Sequence, residues 1–176
     1  MLPEENRIQS ITVQGFKSIH DEQRIEIRPL TILAGANSSG KSSIMQPLLL
    51  LKQTLEAQGD PGTLLLDGPN VRFTSSEQIL SKISPKGGET TFSVAFECID
   101  GTSLDVTYRA GEGDGFEVGE MKYVYKGELL HLRPDMKEKE IHKTLPKSLK
   151  EINEILFGGL RKLSWQIARD RCFLIL

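Results

Sequence analysis

Residues Gly35 to Ser43, GANSSGKSS, carry the densest chemical information in the chain. They contain G-x-x-x-x-G-K-S, the spacing of a phosphate-binding loop. Gly35 and Gly40 can take backbone angles closed to other residues and let the main chain approach oxygen atoms. In such a loop the N–H groups of residues 36 to 42 turn inward as an anion nest, and the helix after the loop aims its positive end at the same point. Lys41 then bridges β- and γ-phosphate oxygens and is the one catalytic candidate. Ser42 offers its hydroxyl to Mg²⁺. The expected nucleotide-binding set is Gly35, Ala36, Asn37, Ser38, Ser39, Gly40, Lys41, Ser42 and Ser43. Four fixed positions arise by chance in roughly fewer than one chain in a hundred of this length.

The flanking elements fit the motif. The short apolar run LTILA, residues 30–34, leads into the loop and reads as a strand buried on both faces. After the loop, KSSIMQPLLLLKQTLEAQ is helical in composition, with Leu48, Leu51 and Leu55 at helical spacing. Pro47 should kink or weaken that helix, and GDPG at 59–62 should end it. Upstream, RIQSITVQGFKSI alternates as a strand, with Ile11 and Val13 on one face. RIEIRP makes a second strand, with Ile25 and Ile27 together. From residue 90 the period is two. Phe92, Val94, Phe96 and Cys98 share one face, as do Leu104, Val106 and Tyr108, with the turn Asp100-Gly101 between them. One or two further strands surround Lys126-Gly127. The apolar steps of PKSLKEINEILFGGLRKLSWQIARD predict an amphipathic helix, and CFLIL a buried strand that is cut off.

A chain of 176 residues with 26% charged residues and net charge -2 is an ordered globular chain with no global positive field to recruit nucleic acid. Cys98 and Cys172 match no metal or disulfide spacing. The N-terminus is polar, and no apolar run can span a bilayer, so a cytoplasmic location without membrane contact is expected.

The elements ITVQGFKSI, the two-strand lead-in and LTILAGANSSGKSSIMQPLLLLKQTLE, over residues 8–57, resemble the N-terminal part of an ABC-type P-loop ATPase head. The group is that of RecF-like, structural-maintenance-of-chromosomes-like and overcoming-lysogenization-defect-like proteins, often described simply as AAA-family ATPases. The resemblance implies an α/β fold with an antiparallel β-layer and a helical C-terminal segment. It also implies ATP and Mg²⁺ as cofactors, hydrolysis of ATP to ADP and phosphate, and two heads sandwiching the nucleotide. DNA repair or phage defence, and a nucleic-acid partner, are implied only in that way. It places Asn37 beside the γ-phosphate and lets Lys17, in FKS, reach the nucleotide; a solvated lysine at a strand end is the alternative. The expected organisation is one partial head: lead-in strands, P-loop and helix over 1–60, a β-meander over 61–135, and a helical segment with a truncated strand over 136–176.

The rest of such a head is not found. TLLLD ends at Asp67 but is followed by Gly68, not by the glutamate of a Walker B motif, and reads as a strand entering a turn. LSWQ at 163–166 lacks the glycines of a signature motif. GEGDGFEVG is an acidic loop. Gln78 is a weak match to a Q-loop, and His20, His131 and His142 have no partner motif. The expectation is therefore a truncated product, or a piece that needs a complementing chain. An ATPase head competes with a non-catalytic nucleotide-binding module and, less well, with a P-loop kinase or GTPase, for which no NKxD motif exists.

Overall fold

The computed structural model describes residues 7–37, 39–82, 90–151 and 165–176. Its strands are β1 (Ile8–Gln14), β2 (Gln23–Glu26), β3 (Thr91–Cys98), β4 (Ser103–Ala110), β5 (Phe116–Tyr125), β6 (Glu128–Leu132), β7 (Ala168–Asp170) and β8 (Phe173–Ile175). Among the described residues the α-helices are α1 (Lys41–Glu56) and α2 (Glu138–Thr144), and residues 147–151 are also helical. The first six strands make one antiparallel sheet in the order β2-β1-β3-β4-β5-β6, and β7 and β8 pair as a hairpin. Only the step from β2 to β3 leaves the meander. There the chain runs through the glycine loop, α1 and a long loop before returning to the free edge of β1.

The period-two pattern explains the sheet. Val13, Val94, Val106, Met121 and Leu132 lie opposite one another in register and form a buried row across five strands. Each such side chain contributes about 1.5–3 kcal/mol when fully buried. In β5 the pattern changes phase. The register shifts between Thr107 and Tyr108, so that Tyr108 faces Val118 while Val106 faces Met121. This bulge lets Phe116, Val118 and Met121 all turn to the core, although strict alternation would place Met121 outside. The β7–β8 hairpin adds Cys172 and Leu174 to the core, where the Tyr108 hydroxyl donates to the Cys172 carbonyl at 2.9 Å.

Helix α1 joins the same cluster through Ile44, Leu50 and Leu51, with Pro47 and Thr54 also buried. Its inward stripe is therefore rotated from the expected one, and Leu55 is exposed. Pro47 is accommodated inside a continuous helix. A buried amide ties the loop after the helix back onto it. Gln53 Nε2 donates to the carbonyls of Leu65 and Val71, and Gln53 Oε1 accepts from the N–H groups of Asn70 and Val71. Beside it, Thr54 Oγ1 accepts from Leu65 N at 2.9 Å. Gly68 is small because it must be: a Cβ there would lie 2.6 Å from Gln53 Cδ.

Two expectations need correction or restriction. Residues 30–34 do not form a strand, and Leu30 and Ile32 are each 78% exposed. A strand apolar on both sides needs partners at its edges and layers on both faces. The antiparallel meander closes around β1 and offers the run neither. Of the amphipathic helix read into 146–170, residues 147–151 are helical, 152–164 lie outside the described residues, and Ala168–Asp170 form the strand β7 instead. The strand expected at 172–176 is present as β8.

Burial pushes the Cys172 thiol up to about 11, above its ordinary value of 9.0. A raised thiol pKa means stability that is fully present below pH 9 and lost as pH rises through 11. Melting temperature measured from about pH 8 to 11.5 should fall over that window, and Cys172→Ala should flatten part of the slope; superimposable slopes would refute this role. Replacing Gln53 by Leu strands three backbone groups, Leu65 O, Asn70 N and Val71 N, while Val71 O keeps its bond from Gly68 N. It should cost about 3 kcal/mol in urea denaturation, a loss below about 1 kcal/mol being inconsistent with the clamp.

Candidate functional site

The loop enters α1 through Gly40, whose left-handed conformation (φ 90°, ψ 2°) serves as the N-cap. Helix N-termini leave their first N–H groups without internal acceptors, and proteins usually supply a capping side chain or nearby acid. Here neither is present: no side chain caps α1 and its first turn holds no acidic residue. The first N–H groups of α1 are thus left to solvent or to a ligand, at the positive end of the helix.

A cavity of about 370 Å³ opens at this point, lined by Lys17, Ser18, Asn37, Gly40, Lys41, Ser42 and Ser43. Two ammonium groups and three hydroxyls face it, and among the described residues no carboxylate does. The Lys41 ammonium donates to the carbonyls of Gly35, at 2.6 Å, and of Ala36, with Ser39 Oγ at 3.5 Å. Ser39 N turns back to the Ala36 carbonyl at 3.3 Å. The carbonyls of 35 and 36 are therefore turned to the Lys41 ammonium, whereas the expected anion nest would turn the N–H groups of 36 to 42 inward. The physical reason is that an ammonium has three donors and takes the nearest oxygens. Those contacts are of the kind phosphate oxygens make with a lysine. The cradle is tight, since a Cβ on Gly35 would lie 2.8 Å from Ser39 Oγ and one on Gly40 would lie 3.1 Å from Ser18 Oγ. Ser42 is exposed on the loop's mouth, and its hydroxyl is a fitting oxygen donor for Mg²⁺. Ser38 lies outside the described residues.

Lys17 reaches this cavity because of the turn that carries it. Gly15 has φ 73°, and a Cβ there would sit 2.5 Å from the Thr91 carbonyl. Phe16 is fully buried, edge-on to Phe73 at 6.3 Å and to Phe92 at 5.4 Å. Lys17 itself is left-handed, with φ 53°, and its N–H donates to Ile79 O at 2.7 Å. Anchored in this way, Lys17 Nζ donates to Gln46 Oε1 at 3.1 Å and lies 4.8 Å from the centre of the Phe73 ring. Sequence reasoning did not single out Ser18, Gln46 or Phe73. Ser18 directly succeeds Lys17 and bonds Ser43 Oγ at 3.3 Å, so the FKS triplet held the signal; Phe73 and Gln46 carried none.

The other candidates lie elsewhere. Asp67 is exposed, 3.9 Å from Arg72 in a small turn closed by Gly68 N to Val71 O. Both ends of the Gln78 amide are used by Thr74. His131 Nε2 lies 2.6 Å from a Glu120 carboxylate oxygen on the sheet. Among the described residues no histidine lines the loop's cavity. Nor does any cluster of three or more His, Cys, Asp or Glu among them suit a metal, and no helix among them is long and apolar enough to cross a membrane.

Fold and site together give a mixed α/β domain in which a glycine loop, between an antiparallel sheet and an uncapped helix, carries two lysines at its cavity. A family model, the AAA ATPase domain, matches residues 7–100, and the chain belongs to that family of ATP-binding ATPases. No curated relative matches the chain.

Gly40→Ala should cost about 1–2 kcal/mol from left-handed strain alone. Adding Ser18→Ala should recover only the steric part. Full recovery in the double variant, read by thermal melting, would show that the backbone conformation at Gly40 is not what matters.

Proposed function

We propose that the chain binds Mg-ATP through residues 35–43 and is the phosphate-gripping part of an ABC-type ATPase head of the RecF-like, structural-maintenance-of-chromosomes-like and overcoming-lysogenization-defect-like kind. The observation that carries the reading is the charge of the cavity: two ammonium groups, three hydroxyls and no acid among the described residues, at an uncapped helix start. Phosphoryl transfer to water is governed by positioning and by neutralising charge on the phosphate oxygens. Lys41 supplies one such charge and Lys17 a second. The Ser42 hydroxyl would hold Mg²⁺, which would supply further charge neutralisation at the phosphate oxygens. Asn37, Gly35, Ala36, Ser39, Gly40 and Ser43 shape the cradle, and Ser38 belongs to the proposed binding set by its place in the motif. The division into 1–60, 61–135 and 136–176 belongs to the same proposal.

A specific observation favours a second reading, a binding module that cannot turn ATP over alone. Activating the attacking water needs a base or an orienting group, and among the described residues no carboxylate or histidine lines the cavity. In the proposed arrangement a second head, or a complementing chain, supplies the missing groups across the nucleotide. A cytoplasmic ATPase acting on nucleic acid in repair or phage defence is the role that the resemblance implies.

The purified chain should bind a fluorescent ATP analogue with Mg²⁺, and Lys41→Ala should weaken binding at least roughly tenfold, a cost of about 1.4 kcal/mol. Ser42→Ala should weaken Mg-ATP more than metal-free ATP. Equal losses would remove the metal role, and GTP displacing the analogue far better than ATP would overturn the ATP assignment. Steady phosphate release that vanishes in Lys41→Ala would exclude the binding-only reading.

A further inference from the structure

We infer that Gln46 is a positioning residue for Lys17. It holds that lysine as an uncompensated second cation at the mouth of the phosphate cavity. The inference rests on the reading of the cavity as a Mg-ATP site.

Gln46 sits in α1, four residues after Ser42 and three after Ser43, so the helix places it on the face that carries both serines. Its carbonyl oxygen accepts from Lys17 Nζ at 3.1 Å. On another side the ammonium lies 4.8 Å from the Phe73 ring centre, within cation–π range. The backbone beneath is equally constrained, in the left-handed region and bonded to Ile79 O. Among the described residues no carboxylate pairs with Lys17, unlike Arg24, Arg28, Arg109 and Arg169, each bonded to an acid. An amide oxygen and an aromatic face hold an ammonium without cancelling its charge. A glutamate at 46 would hold it as well and neutralise it. The identity of residue 46 therefore sets how much of the Lys17 charge remains for phosphate.

The test is a double-mutant cycle on the full chain, read by Mg-ATP affinity with thermal melting alongside. Gln46→Leu releases the ammonium and should weaken Mg-ATP binding about five- to tenfold with little change in melting temperature. In a Lys17→Met background the same change should have no further effect. Gln46→Glu should weaken binding at least as much as Gln46→Leu, because it keeps the contact and removes the charge. Losses that multiply independently in the double variant, or a Gln46→Glu chain that binds like wild type, would overturn the role of Gln46. If wild type binds no Mg-ATP, or Lys41→Ala binds equally well, the underlying nucleotide reading fails and this inference falls with it. If binding depends on Lys41 but the cycle shows no coupling, this inference alone is wrong.

Discussion

The buried amide of Gln53 is the contact on which the arrangement of the site depends. An amide buried in an apolar core is costly unless both its ends are bonded, and here the backbone of residues 65 to 71 satisfies both. The consequence is geometric. Helix α1 and the loop after it become one body, and Phe73, at the end of that loop, is delivered against Phe16. Phe16 in turn packs on Phe92 of the sheet. One chain of contacts therefore runs from the P-loop helix, through its own return loop, to the turn that carries Lys17.

That chain of contacts lets two distant lysines share one cavity. Lys41 comes from the helix start and Lys17 from the end of β1, and each is held by neutral oxygens, an aromatic ring or both rather than by acids. Arg24, Arg109 and Lys122 on the sheet are instead paired with carboxylates. The contrast matters because a paired cation has little charge left for a ligand, whereas an unpaired one near a helix N-terminus adds to the helix field. The uncapped start of α1 and its acid-free first turn point the same way. Such an arrangement is costly for the protein alone and favourable for an anion.

Much of the fold was legible locally. Alternation marked the strands from residue 91 onward, and turn chemistry at Asp100-Gly101 and Lys126-Gly127 separated them. The phase change in β5 was not legible, because a bulge reverses the faces without changing composition. The apolar run at 30–34 misled for a related reason. Its composition reports what it would prefer to pack against, and not whether the surrounding sheet offers that packing. The buried stripe of α1 was rotated because Gln53 and Thr54, polar by type, are buried by their bonds to the return loop.

The amino-acid order by itself determined the glycine loop, its lysine and hydroxyl, and the helix behind them, because phosphate binding of this kind rests on local backbone geometry and adjacent residues. Only the tertiary structure decided which other side chains share the cavity. Ser18 joins the cavity beside Lys17, which the FKS triplet had already marked, while Gln46 and Phe73 hold that lysine from outside the lining. Their meeting depends on sheet register, on Phe16 packing and on the Gln53 clamp. Those are long-range contacts, for which spacing along the chain carries no signal.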